Sequence, residues 1–255
     1  MPSFLSMWRN ALIFLRIPGI LILTWASLAV FHPGSAEASS TTSSRSDLAD
    51  RLYGIRSIGL IPPSVRIFEI SAGGVREYKE DWSAKGKENL TKSLQDHFQE
   101  KLFVIKTDTL DNNVKADLDD VLALYRMVIG SYLLQFDSEQ GFPVKQDFSE
   151  YVLGPLDNLF DALNVDALVI VKGVDEISTA GRKTMIAVGM LAAIALGTGG
   201  VPHPGVAGMD IGFIDRSGAV LWYKLGGLSG NDFRDPKGAS KITEEILFDF
   251  PGFNQ

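Results

Sequence analysis

The run Ala167 to Lys172, ALVIVK, is apolar without a break up to Val171, and it constrains the fold more than any other stretch of the chain. A strand that shows one face to water alternates apolar and polar residues, whereas a strand apolar on both sides has to be covered on both. The flanking sequence offers such covers. Leu90, Leu94, Phe98 and Leu102 recur every four positions, which predicts an amphipathic helix that Ser83 can cap. From Asp117 to Phe136, the side chains of Val121, Tyr125, Val128, Ile129 and Tyr132, with Leu124 and Leu133, make a broad apolar face and predict a second, well-buried helix. A shorter helix over Leu153 to Leu163 leads into the central strand, and a closing helix runs from about Lys237 to Phe248.

Further strands are predicted at Ile55 to Ile61 and Val65 to Ile70, separated by Pro62-Pro63, and at Phe103 to Lys106. Met209 to Ile214 and Ala219 to Tyr223 form a hairpin across Asp215-Arg216-Ser217-Gly218, where the glycine can take the positive φ of the last turn position. The expected architecture is α/β (α+β), a mixed sheet of about five to six strands with three or four packed helices and a C-terminal antiparallel hairpin.

The first 38 residues differ in kind from the rest. Arg9 and Arg16 precede the apolar run Ile17 to Phe31, which gives way to HPGSAEA. That order is basic, apolar, small, as in a secretory signal, with Ala36 and Ala38 at the positions a signal peptidase accepts. Cleavage after Ala38 is expected. The competing reading is a retained anchor, because Ala11 to Phe31 is 21 residues long and roughly 20 cross a bilayer. Both readings export the remainder, to the periplasm or to a membrane-anchored position facing it. Residues 39–47, beginning SSTTSS, read as a flexible linker, and 48–255 as a single α/β domain.

Lys+Arg 24 against Asp+Glu 31 gives a net charge of −7, which provides no general field for a phosphate backbone, so nucleic acid is not an expected partner. The absence of cysteine removes disulfides, thiolate chemistry and lipid attachment through an amino-terminal cysteine. Downstream of residue 38 only His97 and His203 remain, too few for a multi-histidine metal site. His97 falls on the amphipathic helix and is expected at its surface. Gly181-Arg182-Lys183-Thr184 lacks the Gly-Lys adjacency of a phosphate-binding loop, and Asn231 stands where a nucleophile elbow around Ser229 would need glycine. Asp117, Asp119 and Asp120 are read as complementing the positive end of the second helix rather than as metal ligands. No nucleophile, base and orienting group can be nominated together, so no enzyme activity, cofactor or metal is expected.

One segment remains unexplained by core or turn. Residues 182–208 form an apolar excursion whose core, Met185 to Leu196, carries no charge. Twelve helical residues cover about 18 Å, short of a roughly 30 Å hydrocarbon layer. The segment therefore either completes a core or meets a membrane or a protein partner. Contact residues would be Met185, Ile186, Val188, Met190, Leu191, Ile194 and Leu196.

The runs SIGLIPPSVRIFEISAGGVREYKEDWSAKGKENLTKSL, NVDALVIVKG and MDIGFIDRSGAVLWYK resemble uncharacterised bacterial envelope lipoproteins. The strand Asp166 to Gly173 and the hairpin from Asp215 through Gly218 to Trp222 are similar to the curli-secretion channel lipoprotein family and to the amino-terminal domain of the periplasmic Tol propeller protein. The resemblance implies an envelope setting and a layered α/β domain. Those lipoproteins carry an acylated cysteine that is missing here. The expected function is that of a non-enzymatic exported envelope protein acting through association with an envelope protein, with itself or with a membrane. The alternative is a periplasmic small-ligand binding domain, which requires an apolar pocket with a few convergent polar groups.

Overall fold

A computed structural model describes residues 41–137, 148–183 and 206–252. The chain divides into two compact units, Met1–Gly34 and Ser35–Gln255, and all described residues lie in the second. Its centre is the strand predicted from ALVIVK, here twice as long: β6, Ala167–Ser178. On one side β6 pairs antiparallel with β7 (Val206–Asp215), which pairs in turn with β8 (Val220–Ser229). On the other side β6 is flanked, in parallel, first by β2 (Ile58–Leu60) and then by β3 (Ser64–Ile70). Two short edge strands, β4 (Arg76–Tyr78) and β5 (Leu102–Val104), pair with β3 and β2 respectively. The opposite edge is β1, Thr41–Ser44, antiparallel to β8. The sheet is mixed and eight-stranded, larger than the five to six strands expected.

Pro62-Pro63 explains how β2 and β3 share one partner. Ile58 pairs with Ala167 but Ser64 pairs with Lys172, so β2–β3 carries one residue more than β6 over the same span. Such an extra residue switches which parity points to which face. Ile58 and Leu60 before the step, and Val65 and Ile67 after it, all reach the same core.

Five α-helices have both ends within the described residues: α1 (Leu48–Tyr53), α2 (Glu80–Phe98), α3 (Asn112–Asp137), α4 (Asp157–Leu163) and α5 (Pro236–Leu247). One core joins α1, α2 and α5 to the odd-numbered residues of β6 and β7, among them Val169, Val171, Ile211 and Phe213. The other joins α3 and α4 to the even-numbered residues Leu168, Ile170 and Ile214. This is the two-sided cover that ALVIVK required. Asp235 caps α5 by accepting from the Lys237 amide at 3.3 Å, with Pro236 at the first helical position.

Several expectations change. The stretch read as a linker contributes an edge strand, because Thr41–Ser44 finds unpaired backbone groups along β8 and its side chains alternate between half-buried and exposed. Ser83 does not cap α2, which starts three residues earlier. Its hydroxyl instead donates to the Lys79 carbonyl at 2.7 Å and accepts the Ile67 amide of β3 at 2.9 Å. α3 starts at Asn112, where Asp111 Oδ1 accepts the Asn113 amide at 2.9 Å. Asp117, Asp119 and Asp120 thus lie beyond its first turn, exposed to solvent, rather than at its positive end. Leu102 opens β5 instead of closing α2. At the hairpin, Gly218 takes φ +76° as expected, and a Cβ there would collide with the Gly154 carbonyl.

Candidate functional site

The even-numbered face of the sheet is where a site forms. Antiparallel register sets Lys172 of β6 opposite Asp210 of β7, and Ile170 opposite Gly212. On β8, Tyr223 stands opposite Gly212. α3 crosses above this face on Leu118, Val121, Tyr125, Ile129 and Tyr132, at helical spacings of three and four. Tyr125 is long, and it reaches the sheet where the sheet has no side chain. A Cβ at Gly212 would overlap the Tyr125 hydroxyl. The aromatic therefore fills the notch that the glycine leaves in the sheet.

Beside this contact lies a cavity of about 400 Å³ between α3 and the sheet. Its buried wall includes Ile61, Tyr125 and Ile129, while Arg66, Arg126 and Lys172 line it yet remain exposed, and so stand at its rim. The volume falls within the range of small-molecule sites, and the lining combines apolar surface with a few polar groups, as such sites do.

Electrostatics separate the interior from the rim. The hydroxyls of Tyr125 and Tyr223 are buried and have no hydrogen-bond partner among the described residues. Burial pushes the Tyr125 hydroxyl well above the ordinary tyrosine range, with Asp210 adding to the effect. Burial likewise raises the Asp210 carboxyl to about 6, against the pull of the Lys172 ammonium. Asp210 lines the cavity, and no hydrogen bond holds its carboxyl among the described residues. At the rim, Arg126 and Lys172 make neither an ion pair nor a hydrogen bond among the described residues. The Arg66 guanidinium lies 5.1 Å from the centre of the Phe68 ring, which Arg76 approaches to 4.2 Å. Buried polar atoms are normally satisfied, so the unbonded Asp210 carboxyl in the lining of this void marks it as a place where a ligand's polar atoms would be accepted.

No protein-family model matches the chain, and no curated protein matches it either. Among solved structures, a PelC dodecamer from Paraburkholderia phytofirmans aligns at 12% identity and a TM-score of 0.35, covering 86% of this chain and 99% of that one. A leucine-to-methionine variant of the PelC dodecamer from the same organism aligns with the same identity and score, covering 82% and 95%. Likeness at this level establishes neither a common fold nor a common function. No family model supports the resemblance to the curli-secretion channel lipoprotein family or to the Tol propeller protein that short segments suggested. The site stands on this chain's own residues.

The residues singled out from sequence as contacts, Met185, Ile186, Val188, Met190, Leu191, Ile194 and Leu196, lie outside the described residues, as do Ala36, Ala38 and His203. His97 is exposed near the end of α2, and burial against its neighbours lowers its imidazole pKa. Gly181, Arg182 and Lys183 form a helical turn begun by Thr179, whose hydroxyl accepts the Arg182 amide at 3.2 Å. Among the described residues no helix is long and apolar enough to cross a membrane, and no group of three or more His, Asp and Glu could hold a metal ion. Arg66, Arg126 and Asp210 were not anticipated as site residues. A usable signal did exist: Lys172 ends the aliphatic run of one strand and Asp210 interrupts another, and the antiparallel register of β6 and β7 places the two charges side by side.

Proposed function

We propose that this chain is a non-enzymatic, exported cell-envelope protein whose folded domain binds a small molecule between α3 and the sheet. The observation that carries the reading is the cavity of about 400 Å³, lined by apolar side chains and by the unbonded Asp210 carboxyl. The basic, apolar, small-residue order ending at Ala36-Glu37-Ala38 supports export. Support for binding rather than catalysis comes from the lining, which offers a carboxyl, a tyrosine, three cations and one serine, Ser64, whose hydroxyl is hydrogen-bonded to no base among the described residues. The sequence favoured association above ligand binding. The order is reversed here because the cavity is built from described side chains, while the excursion proposed for association is not.

Nile red, an uncharged dye that fluoresces in apolar surroundings, tests the site on the full chain. The expected result is a saturable signal lost in Ile129→Trp, whose larger side chain fills the void, with thermal unfolding unchanged in its cooperativity. A dye that binds Ile129→Trp as well as the parent sinks the reading.

Association through 182–208 remains a second proposal, resting on the uncharged run Met185 to Leu196. Deleting residues 185–200 should abolish co-sedimentation with vesicles or concentration-dependent mass. Retention of both would end it.

A further inference from the structure

The cavity has two chemical characters, and they are spatially separated. Its depth is apolar, with Ile61, Ile129 and Ile170 buried, and its rim carries Arg66, Arg126 and Lys172 against one carboxyl, Asp210. Unpaired cations cost nothing in water, so exposure alone would explain one of them. Three around a single apolar opening, two of them without any ion pair among the described residues, is a concentration of positive charge in a chain whose net charge is −7. Elsewhere on this domain some cations are paired, as Arg51 with Asp47 and Asp215 or Lys224 with Asp249, and others, such as Lys87, Lys106 and Lys241, stand singly on the surface. The rim differs in gathering three of them around one apolar opening.

Resting on the small-ligand reading above, we infer that the occupant is an amphipathic carboxylate, its head held by Lys172 and the guanidinium groups of Arg66 and Arg126, its apolar tail lying along Leu122, Ile129 and Leu133. Guanidinium and ammonium groups donate charge-assisted hydrogen bonds to a carboxylate, and arginine can do so in bidentate fashion. The tail displaces water from surface that has no other apolar partner. Lys172 is held in place by its strand, and Arg126 sits one residue after Tyr125 on α3, so the two cations flank the opening from the sheet and from the helix. Asp210 lies one strand over from Lys172, near enough to feel its charge but not joined to it by an ion pair, so the ammonium is left for a ligand.

The test uses three ligands with the same ten-carbon tail: decanoate, decanol and decyltrimethylammonium, titrated into the full chain near neutral pH and followed by displacement of Nile red. Decanoate is expected to bind about tenfold or more tightly than the other two, and to weaken with added salt, as a charge-assisted contact does. The double substitution Lys172→Gln with Arg126→Gln should lose about tenfold in decanoate affinity and leave decanol unchanged. Both side chains are exposed, so the variant should fold, which its thermal unfolding curve checks. If decyltrimethylammonium or decanol binds as tightly as decanoate, or if the double variant keeps decanoate affinity, the anion assignment is overturned while the cavity reading survives. If none of the three displaces a dye whose binding Ile129→Trp abolishes, the amphipathic-carboxylate assignment falls and the cavity reading stands.

Discussion

The two faces of the sheet bury carboxyl groups of the same type to different ends. On the face covered by α2 and α5, Asp175 of β6 is 1% exposed and accepts the Phe233 amide at 3.0 Å. That bond helps pin the loop before α5, which Asn89 of α2 also holds by donating to the carbonyls of Phe233 and Arg234 at 2.9 and 2.8 Å. On the face covered by α3, Asp210 has no such bond among the described residues and opens onto the cavity. Burial raises both carboxyls to about 6. The shift is therefore no guide to role. What separates a structural from a ligand-facing carboxyl is whether protein atoms already occupy its lone pairs.

Packing differs in the same way. Phe213 stacks on Phe250 with ring centres 4.5 Å apart and meets Phe98 and Trp222 edge-on at 5.6 and 5.8 Å, filling its face of the sheet. Opposite, Ile129 faces a void. The largest expected effect follows from that contrast: Phe213→Ala should cost about 3–5 kcal/mol in denaturant unfolding, whereas Ile129→Ala, which enlarges an existing opening, should cost about 2 kcal/mol or less. Equal losses would mean that the void is closed in solution.

Next in size is the pH dependence of stability. Asp175 titrates near 6 in the folded chain against an ordinary value near 3.8, so its protonated form is the one folding favours. Its contribution is fully present below about pH 4 and is lost as pH rises through 6, up to about 3 kcal/mol by neutrality. Asp175→Asn keeps an oxygen to accept the Phe233 amide and removes the charge, so unfolding free energy between pH 4 and 7 should become flatter. An unchanged slope would assign the titration to other groups.

Gly218→Ala should cost about 1–3 kcal/mol, because φ there is +76° and the added carbon meets the Gly154 carbonyl. The damage should stay on the α3 side, where residues 151–156 bond to the hairpin: the Leu153 amide donates to the Gly218 carbonyl at 2.8 Å and the Val220 amide to the Tyr151 carbonyl at 3.2 Å. Hydrogen exchange should accelerate there and remain slow in α2 and α5.

The smallest effect sharpens the comparison most. Tyr125→Phe removes a hydroxyl that has no partner among the described residues and should change stability by no more than about 0.5 kcal/mol, or raise it, while Ser83→Ala removes a hydroxyl bonded at both lone pair and proton and should cost about 1 kcal/mol or more. A large loss in Tyr125→Phe would show that the hydroxyl is satisfied after all.

Much of the fold was legible. Unbroken aliphatic residues in β6, four-residue spacing in α2 and the glycine of the hairpin turn each act locally, so sequence periodicity reports them directly. Strand ends ran short of their true lengths: β6 was read as ending at Lys172 but continues through Asp175 to Ser178, since a charge after an aliphatic run reads as an end until a partner accounts for it, and β7 begins at Val206, three residues before Met209. β1 was illegible for another reason. Thr41–Ser44 has no apolar signal of its own, and only the free edge of β8 makes it a strand.

For this protein, the order of residues determined which segments alternate or repeat, hence a central strand covered on both faces, the helices that cover it and the hairpin that extends it. Tertiary structure decided the register. Lys172 and Asp210 are 38 positions apart and become neighbours only through the antiparallel pairing of β6 with β7, and Tyr125 of α3 seats against Gly212 of β7, a steric relation between distant residues that no local periodicity encodes.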